Sequence, residues 1–281
     1  MPVKKKTVTK KVAPKKKVAV KKVTPKKIVN DKAIKKLIAK KAPKKASNPK
    51  ETYVAIVIDR SGSMYPIRTS AISAINEQLD EMRKMASKNH KIYATVISFA
   101  GDVSIDFDNI DIKDVPVYTV ENYNPNGSTA MRDAISKAID SLSARETLIK
   151  KGTNVGFLVS TISDGEENAS TTISREALTE KIKSYQSKNT WTFTYLLANQ
   201  DPNLAMINYA AAAGNIATFD STASGMASGA GTQTLGLSSY LTGRNTGVTS
   251  VRDFYEANPS TMSFISASVI TPANFRHSVT Q

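Results

Sequence analysis

Five oxygen-bearing side chains stand out by type and placement: Asp59, Ser61 and Ser63 in "IVIDRSGSM", Thr129 in "NGSTAM", and Asp164 in "TISDGEEN". Two carboxylates and three neutral hydroxyls suit a hard divalent cation such as Mg²⁺, which takes oxygen donors, dehydrates reluctantly and keeps several waters. Because the hydroxyls carry no charge, a cation held this way keeps residual positive charge and can recruit an anion. Each of the five follows an apolar run of strand type or precedes a helical pattern. That is where open parallel sheets bind ligands, in the crevice at the carboxyl ends of their strands. Gly62, between the two serines, is expected to let that loop fold tightly.

Placing such residues together requires an alternating fold, and from Thr52 onward the sequence alternates strand and helix signals. Residues 53–58 are an unbroken Tyr, Val and Ile run with no polar alternation, as in a strand buried on both sides. Ile67, Ala71, Ile75, Leu79, Met82 and Met85 then recur every three or four positions, which predicts an amphipathic helix over 67–87. Further strands are expected at 92–98, 155–162, 191–197 and 216–219, with an edge hairpin over 103–120. Helices are expected near 129–142, 172–187, 203–212 and 225–242. The pattern predicts an α/β domain over 51–242, a doubly wound, mostly parallel sheet with helices on both faces. Residues 243–281, rich in Ser, Thr, Asn and Pro, read as an extension of uncertain order.

The segments "DRSGS", "GSTAMRDAI" and "SDG", in that order and at those positions, resemble the metal-ion-dependent adhesion site of von Willebrand factor A (vWA) domains. The resemblance covers roughly residues 52–242. It implies that Ser61, Ser63 and Thr129 are hydroxyl ligands, direct or through water, and that Asp59 and Asp164 bind the metal or orient its waters. It also implies Mg²⁺, with Mn²⁺ or Ca²⁺ as alternatives, and an open coordination position that takes an Asp or Glu carboxylate from a partner protein. Glu166 and Glu167, beside Asp164, read as a solvated acidic rim.

Charge is very unevenly distributed along the chain. Residues 1–50 hold 20 lysines and one acid, Asp31, a net of +19, whereas the remainder carries a net of −4. "KKVAPKK" at Lys10–Lys16 returns as "KKVTPKK" at Lys21–Lys27 and as "KKAPKK" at Lys40–Lys45. Lysine repulsion and the prolines predict a disordered tail when free, apart from a short amphipathic helix capped by Asn30 and carrying Ile34, Leu37 and Ile38. The composition resembles linker-histone and other histone-like tails. It implies sequence-independent binding of DNA or RNA phosphates through Lys10, Lys11, Lys15, Lys16, Lys17, Lys21, Lys22, Lys26, Lys27, Lys40, Lys41, Lys44 and Lys45. With no aromatic residue in this stretch, base stacking is not expected.

Several function classes are disfavoured. There is no cysteine for a disulfide, a zinc ribbon or a thiol nucleophile. "RSGSM" lacks the glycine-flanked nucleophile elbow, and the two histidines, His90 and His277, read as a helix end and a polar terminus. "GMASGAGTQTLG" is not followed by the Gly-Lys-Ser/Thr of a phosphate loop. Asp102, Asp106, Asp108, Asp111 and Asp114 alternate with apolar residues as exposed hairpin positions do, without the glutamate that ends a calcium loop. The apolar runs are too short to span a bilayer and no secretory-type segment is present, so an intracellular protein is expected, cytoplasmic or associated with a nucleoid or virion. The functional expectation is a non-enzymatic, metal-dependent adaptor. The alternatives are a structural histone-like or virion-associated assembly protein and, last, a metal-dependent hydrolase.

Overall fold

The structure is a computed structural model that describes residues 49–198 and 200–256. The lysine-rich repeats, the helix expected after Asn30, His277 and the end of the 243–281 extension lie outside the described residues.

Six strands form one sheet: β1 (Lys50–Asp59), β2 (His90–Phe99), β3 (Val103–Asp111), β4 (Asn154–Ser163), β5 (Trp191–Ala198) and β6 (Ile216–Phe219). Their spatial order is β3-β2-β1-β4-β5-β6, with every pairing parallel except the antiparallel edge strand β3. This is the doubly wound α/β fold. Strand order reverses at β1 and β4, and the reversal opens a crevice at their carboxyl ends.

The unbroken apolar runs follow from burial on both faces. Along β1, Val54, Ile56 and Ile58 enter one core, while Tyr53, Ala55 and Val57 enter the other. Helices α1 (Arg68–Met85) and α5 (Ala223–Thr246) cover the first face through Ala71, Ile75, Leu79, Met82, Met226, Leu237 and Leu241. Helices α2 (Met131–Glu146), α3 (Arg175–Gln186) and α4 (Pro202–Tyr209) cover the second through residues such as Ile135, Ile139, Leu178 and Ile182. Each large aliphatic side chain buried this way contributes about 1.5–3 kcal/mol, so apolar stripes on the helices and unbroken apolar runs on the strands specify the layers together.

Three expectations are corrected. The region 103–120 is not a self-contained hairpin, because β3 pairs back onto β2 and residues 112–130 form no strand. Two register shifts, one with Asn109 at φ 53°, kink this edge, and Ile112, Val115, Tyr118 and Tyr123 then tuck into the α1 face. The last helix continues to Thr246 rather than stopping near 242, with Gly247 in the left-handed conformation ending it. Beyond it, Phe254 and Tyr255 are buried, so the chain remains part of the core past the point where periodic signals fade. Finally, His90 opens β2 instead of ending a helix.

Candidate metal centre

β1 delivers Asp59 at its last position, and β4 delivers Ser163 with Asp164 immediately after it. These two strands are neighbours, so the carboxylates arrive side by side at the crevice. Asp59 is fully buried; its Oδ1 accepts from the Ser61 amide at 2.6 Å and its Oδ2 from Ser163 Oγ at 2.5 Å. The Tyr123 hydroxyl donates to the Asp59 carbonyl and pins the strand end from below.

After β1 the chain enters a short 3-10 turn, Gly62–Ile67, for which Ser61 is the cap residue but makes no side-chain capping bond. Its hydroxyl instead meets Ser63 Oγ at 3.0 Å, and Ser63 Oγ donates to Asp164 Oδ1 at 2.7 Å. The turn is held by Gly62 N donating to Gly127 O at 3.0 Å and Asn126 N donating to Arg60 O at 2.8 Å. Gly62 itself has no positive φ, and a Cβ there would meet nothing nearer than 3.5 Å. The unusual backbone lies at its partner Gly127, with φ 74°.

Thr129 lies two residues before α2, on the loop from the kinked edge strand. Its backbone is clamped on both sides, its amide donating to Asn168 Oδ1 at 2.9 Å and its carbonyl accepting from Asn168 and Ala169. The buried side chain points across to Gly165 in the loop after β4. A Cβ on Gly165 would sit 3.0 Å from Thr129 Oγ1, 3.5 Å from Asp59 Oδ2 and 3.6 Å from Ser61 Oγ. Oxygens from two segments, the end of β1 and the loop before α2, therefore converge on one point in the loop after β4 that glycine leaves open.

All five residues singled out in the sequence are thus linked in one cluster of oxygens. Glu167 is not the solvated rim expected. Its side chain is 9% exposed, and it accepts from the Arg132 amide at 2.7 Å, from Ser170 N at 2.8 Å and from Ala169 N at 3.1 Å. Asp133 likewise accepts from the amides of Thr171, Thr172 and Ile173, which holds its carboxyl below its ordinary range despite partial burial. These two carboxylates fasten the loop after β4 to the first turn of α2, where the helix dipole favours negative charge. Glu166 remains exposed. Asp102, just before the edge strand, and two aspartates on it are engaged elsewhere: Asp102 with Arg60, Asp106 with Ser98 and Tyr118, Asp108 with Ser141 and Arg145.

Three further residues join the site: Ser163, which lies within "SDG" but was not among the five, and Ser221 and Gln200, which lie outside the recognised segments. Ser221 Oγ donates to Asp164 Oδ2 at 3.0 Å, and Gln200 Nε2 to the Gly165 carbonyl at 2.7 Å. A hydroxyl closing the apolar run of β4 is a usable sequence signal for Ser163. Ser221 and Gln200 lie in loops without any local pattern.

Electrostatically the site favours gaining positive charge. Burial raises the Asp59 carboxyl to about 6, against the Ser163 and Ser61 hydrogen bonds that lower it, and nearby Asp164 adds to the rise. The donor set fits a hard cation: two carboxylates and three hydroxyls, with no group of three or more His, Cys, Asp or Glu among the described residues to suggest a softer or more highly charged site.

Among solved structures the chain is similar to a von Willebrand factor type A protein from Catenulispora acidiphila, with 15% identity over 68% of this chain and 43% of that one, TM-score 0.46. It is also similar to proximal thread matrix protein 1 from the mussel byssus with a zinc-occupied MIDAS motif, with 14% identity over 64% of this chain and 46% of that one, TM-score 0.46. A third is the manganese-loaded TRAP protein of Plasmodium vivax, with 18% identity over 60% of this chain and 68% of that one, TM-score 0.44. The chain spans 43% to 66% of the length of the first three solved structures it matches. A search of the curated proteins found no match. The family model described as "von Willebrand factor type A domain" matches residues 54–227, which takes in all five residues of the oxygen cluster, and the chain belongs to that family.

Proposed function

We propose that the domain is a metal-dependent protein-binding module. Ser61, Ser63 and Thr129, with Asp59 and Asp164, would hold Mg²⁺, with Mn²⁺ or Ca²⁺ as substitutes. Bound there, the cation would supply Lewis acidity toward a carboxylate from a partner's exposed Asp or Glu. The observation that carries this reading is the convergence of Thr129 Oγ1, Asp59 Oδ2 and Ser61 Oγ around the space beside Gly165. Family membership supports it, since vWA domains are generally adhesion or interaction modules without enzymatic activity. The placement of His90 supports binding over catalysis: it starts β2, at the opposite end of the sheet from Ser61.

The second half of the proposal is that the lysines of residues 1–50 hold nucleic acid without reading its sequence, which makes the full chain a two-part intracellular adaptor. Composition alone supports this half.

Calorimetric titration of Mg²⁺ and of Mn²⁺ into the full-length protein tests the metal centre. Saturable binding by the wild type that disappears in Asp164→Ala is expected. Equal heats from the two proteins would remove the reading. Capture of partners with and without a chelator then shows whether the bound cation carries the interaction.

A further inference from the structure

The other end of the sheet holds a feature that the metal centre does not use. A cavity of about 350 Å³ lies where the strands begin, lined by Lys50, Lys88, Lys91 and Lys150 together with Glu51 and Leu148. The four lysines come from three separate segments: the start of β1, the α1–β2 turn running into β2, and the loop before β4. Against them stands one carboxylate, so the cavity lining carries a net of +3. That carboxylate is itself engaged, because Glu51 Oε2 accepts from the Tyr53 hydroxyl at 2.8 Å.

Among the described residues, Lys84, Lys181 and Lys188 have acidic partners, whereas Lys88, Lys91 and Lys150 pair with none. Lys50 donates to the Asn245 carbonyl at 2.9 Å. Unpaired like charges around a concavity repel one another, and low-dielectric walls concentrate their field, so the arrangement is relieved by an anion. The lysine-rich residues 1–48 are covalently joined to the domain at Pro49, which also lines this cavity.

We infer that this basic end of the folded domain is itself a binding surface for nucleic-acid backbone phosphates. The occupant is an extended polyanion because the charges are lysines, point donors that suit spaced phosphates, and because three of them are exposed on an open rim. Leu148, 71% exposed at the same rim, offers an apolar surface to the sugars between phosphates. This goes beyond the proposal above, which places nucleic-acid binding in residues 1–50, and it is independent of the metal centre.

The test uses full-length protein and a short DNA duplex, with affinity followed by fluorescence anisotropy across a salt series. Replacing Lys88, Lys91 and Lys150 together by alanine is expected to make the slope of log affinity against log salt shallower by roughly 2.7, at about 0.9 for each phosphate no longer neutralised. A charge-matched control, Lys84→Ala with Lys137→Ala and Lys183→Ala, changes three lysines outside the cavity and is expected to leave the slope near that of the wild type. A slope unchanged in the first variant, or changed equally in the control, would overturn the inference while leaving binding through residues 1–50 intact. Failure of the wild type to bind the duplex at all would end both readings.

Discussion

The two ends of the sheet are made by the same strands and do opposite things with charge. At the carboxyl end, Asp59 and Asp164 are surrounded by hydroxyls and have no cation among the described residues as partner. At the amino end, Arg244 is fully buried and has no carboxylate partner among the described residues. Its guanidinium donates to Thr52 Oγ1 at 3.0 Å and to the carbonyls of Glu51, Asn154 and Val248 at 3.0, 2.8 and 2.6 Å. Lys50 and Asp59, at the two ends of β1, are nine steps apart, about 30 Å at the usual rise of a strand.

The difference teaches which buried charge is structural and which is poised for a ligand. Arg244 is saturated by neutral oxygens, so its charge is solvated by the fold. Asp59 receives a hydrogen bond on each oxygen, yet burial still pushes its carboxyl up to about 6. A buried anion left wanting positive charge beside a space lined with oxygens is what a cation site requires.

The sharpest way to break the comparison is Arg244→Ala. Loss of the guanidinium leaves three carbonyls and the Thr52 hydroxyl without their donor and opens a cavity, which costs about 3–5 kcal/mol in denaturant unfolding. Metal affinity at the far end stays unchanged. A variant that loses stability and metal binding together would show that the two ends are not independent.

Next in size is a pH effect in the metal-free protein. The Asp59 carboxyl is raised from 3.8 to about 6, so its folded form holds a proton that the unfolded chain has released. Its contribution is therefore full below pH 3.8 and lost as pH rises through 6, by about 3 kcal/mol. His90 works in the opposite sense. Burial first, then Arg244 and Lys50, lower it from 6.5 to about 4, so its stability is present above pH 6.5 and lost as pH falls toward 4. In the wild type the two trends offset across the same window. Asp59→Asn removes one of them, so the variant's stability should climb with pH between 4 and 6.5 more steeply than the wild type's. Parallel unfolding profiles would contradict the assignment of the buried charge to Asp59.

A smaller and more local effect sharpens the carboxyl end. In Gly165→Ala the new methyl would lie 3.0 Å from Thr129 Oγ1, in the space the three oxygens share. Mg²⁺ affinity is expected to fall ten- to a hundredfold, about 1.4–2.8 kcal/mol, with unfolding stability changed by less than about 1 kcal/mol. Undiminished affinity would mean that this space is not where the cation sits.

Much of the layer structure was legible because its signals are local. Val54, Ile56 and Ile58 announce a strand buried on both faces, and Ala71, Ile75, Leu79 and Met82 announce the helix that covers it. The edge strand departs from expectation because its two register shifts place Asp106 beside Ser98 and Tyr118. Alternation alone would have left that residue in water. Glu167 departs for a related reason: next to Asp164 in sequence, it turns away to satisfy amides of Arg132 and Ser170, which are invisible in a linear reading.

By itself the chain's order of residues determined the alternating layers, the apolar faces and the positions of Asp59, Ser61, Ser63, Thr129 and Asp164 at strand ends or helix starts, because periodicity and strand termini are properties of short windows. Tertiary structure alone decided that oxygens of Asp59, Ser61 and Thr129 gather beside Gly165 and that Ser63 bridges Ser61 to Asp164, since β1 and β4 are neighbours although they are far apart in sequence. It also decided that Gly156 is required in β4, where a Cβ would lie 2.8 Å from Arg244 Nε, and that Lys88, Lys91 and Lys150 line one cavity. The physical reason is the same in each case. Burial and electrostatic coupling depend on distance in space, and only the paired strands bring segments with no shared local pattern within reach of one another.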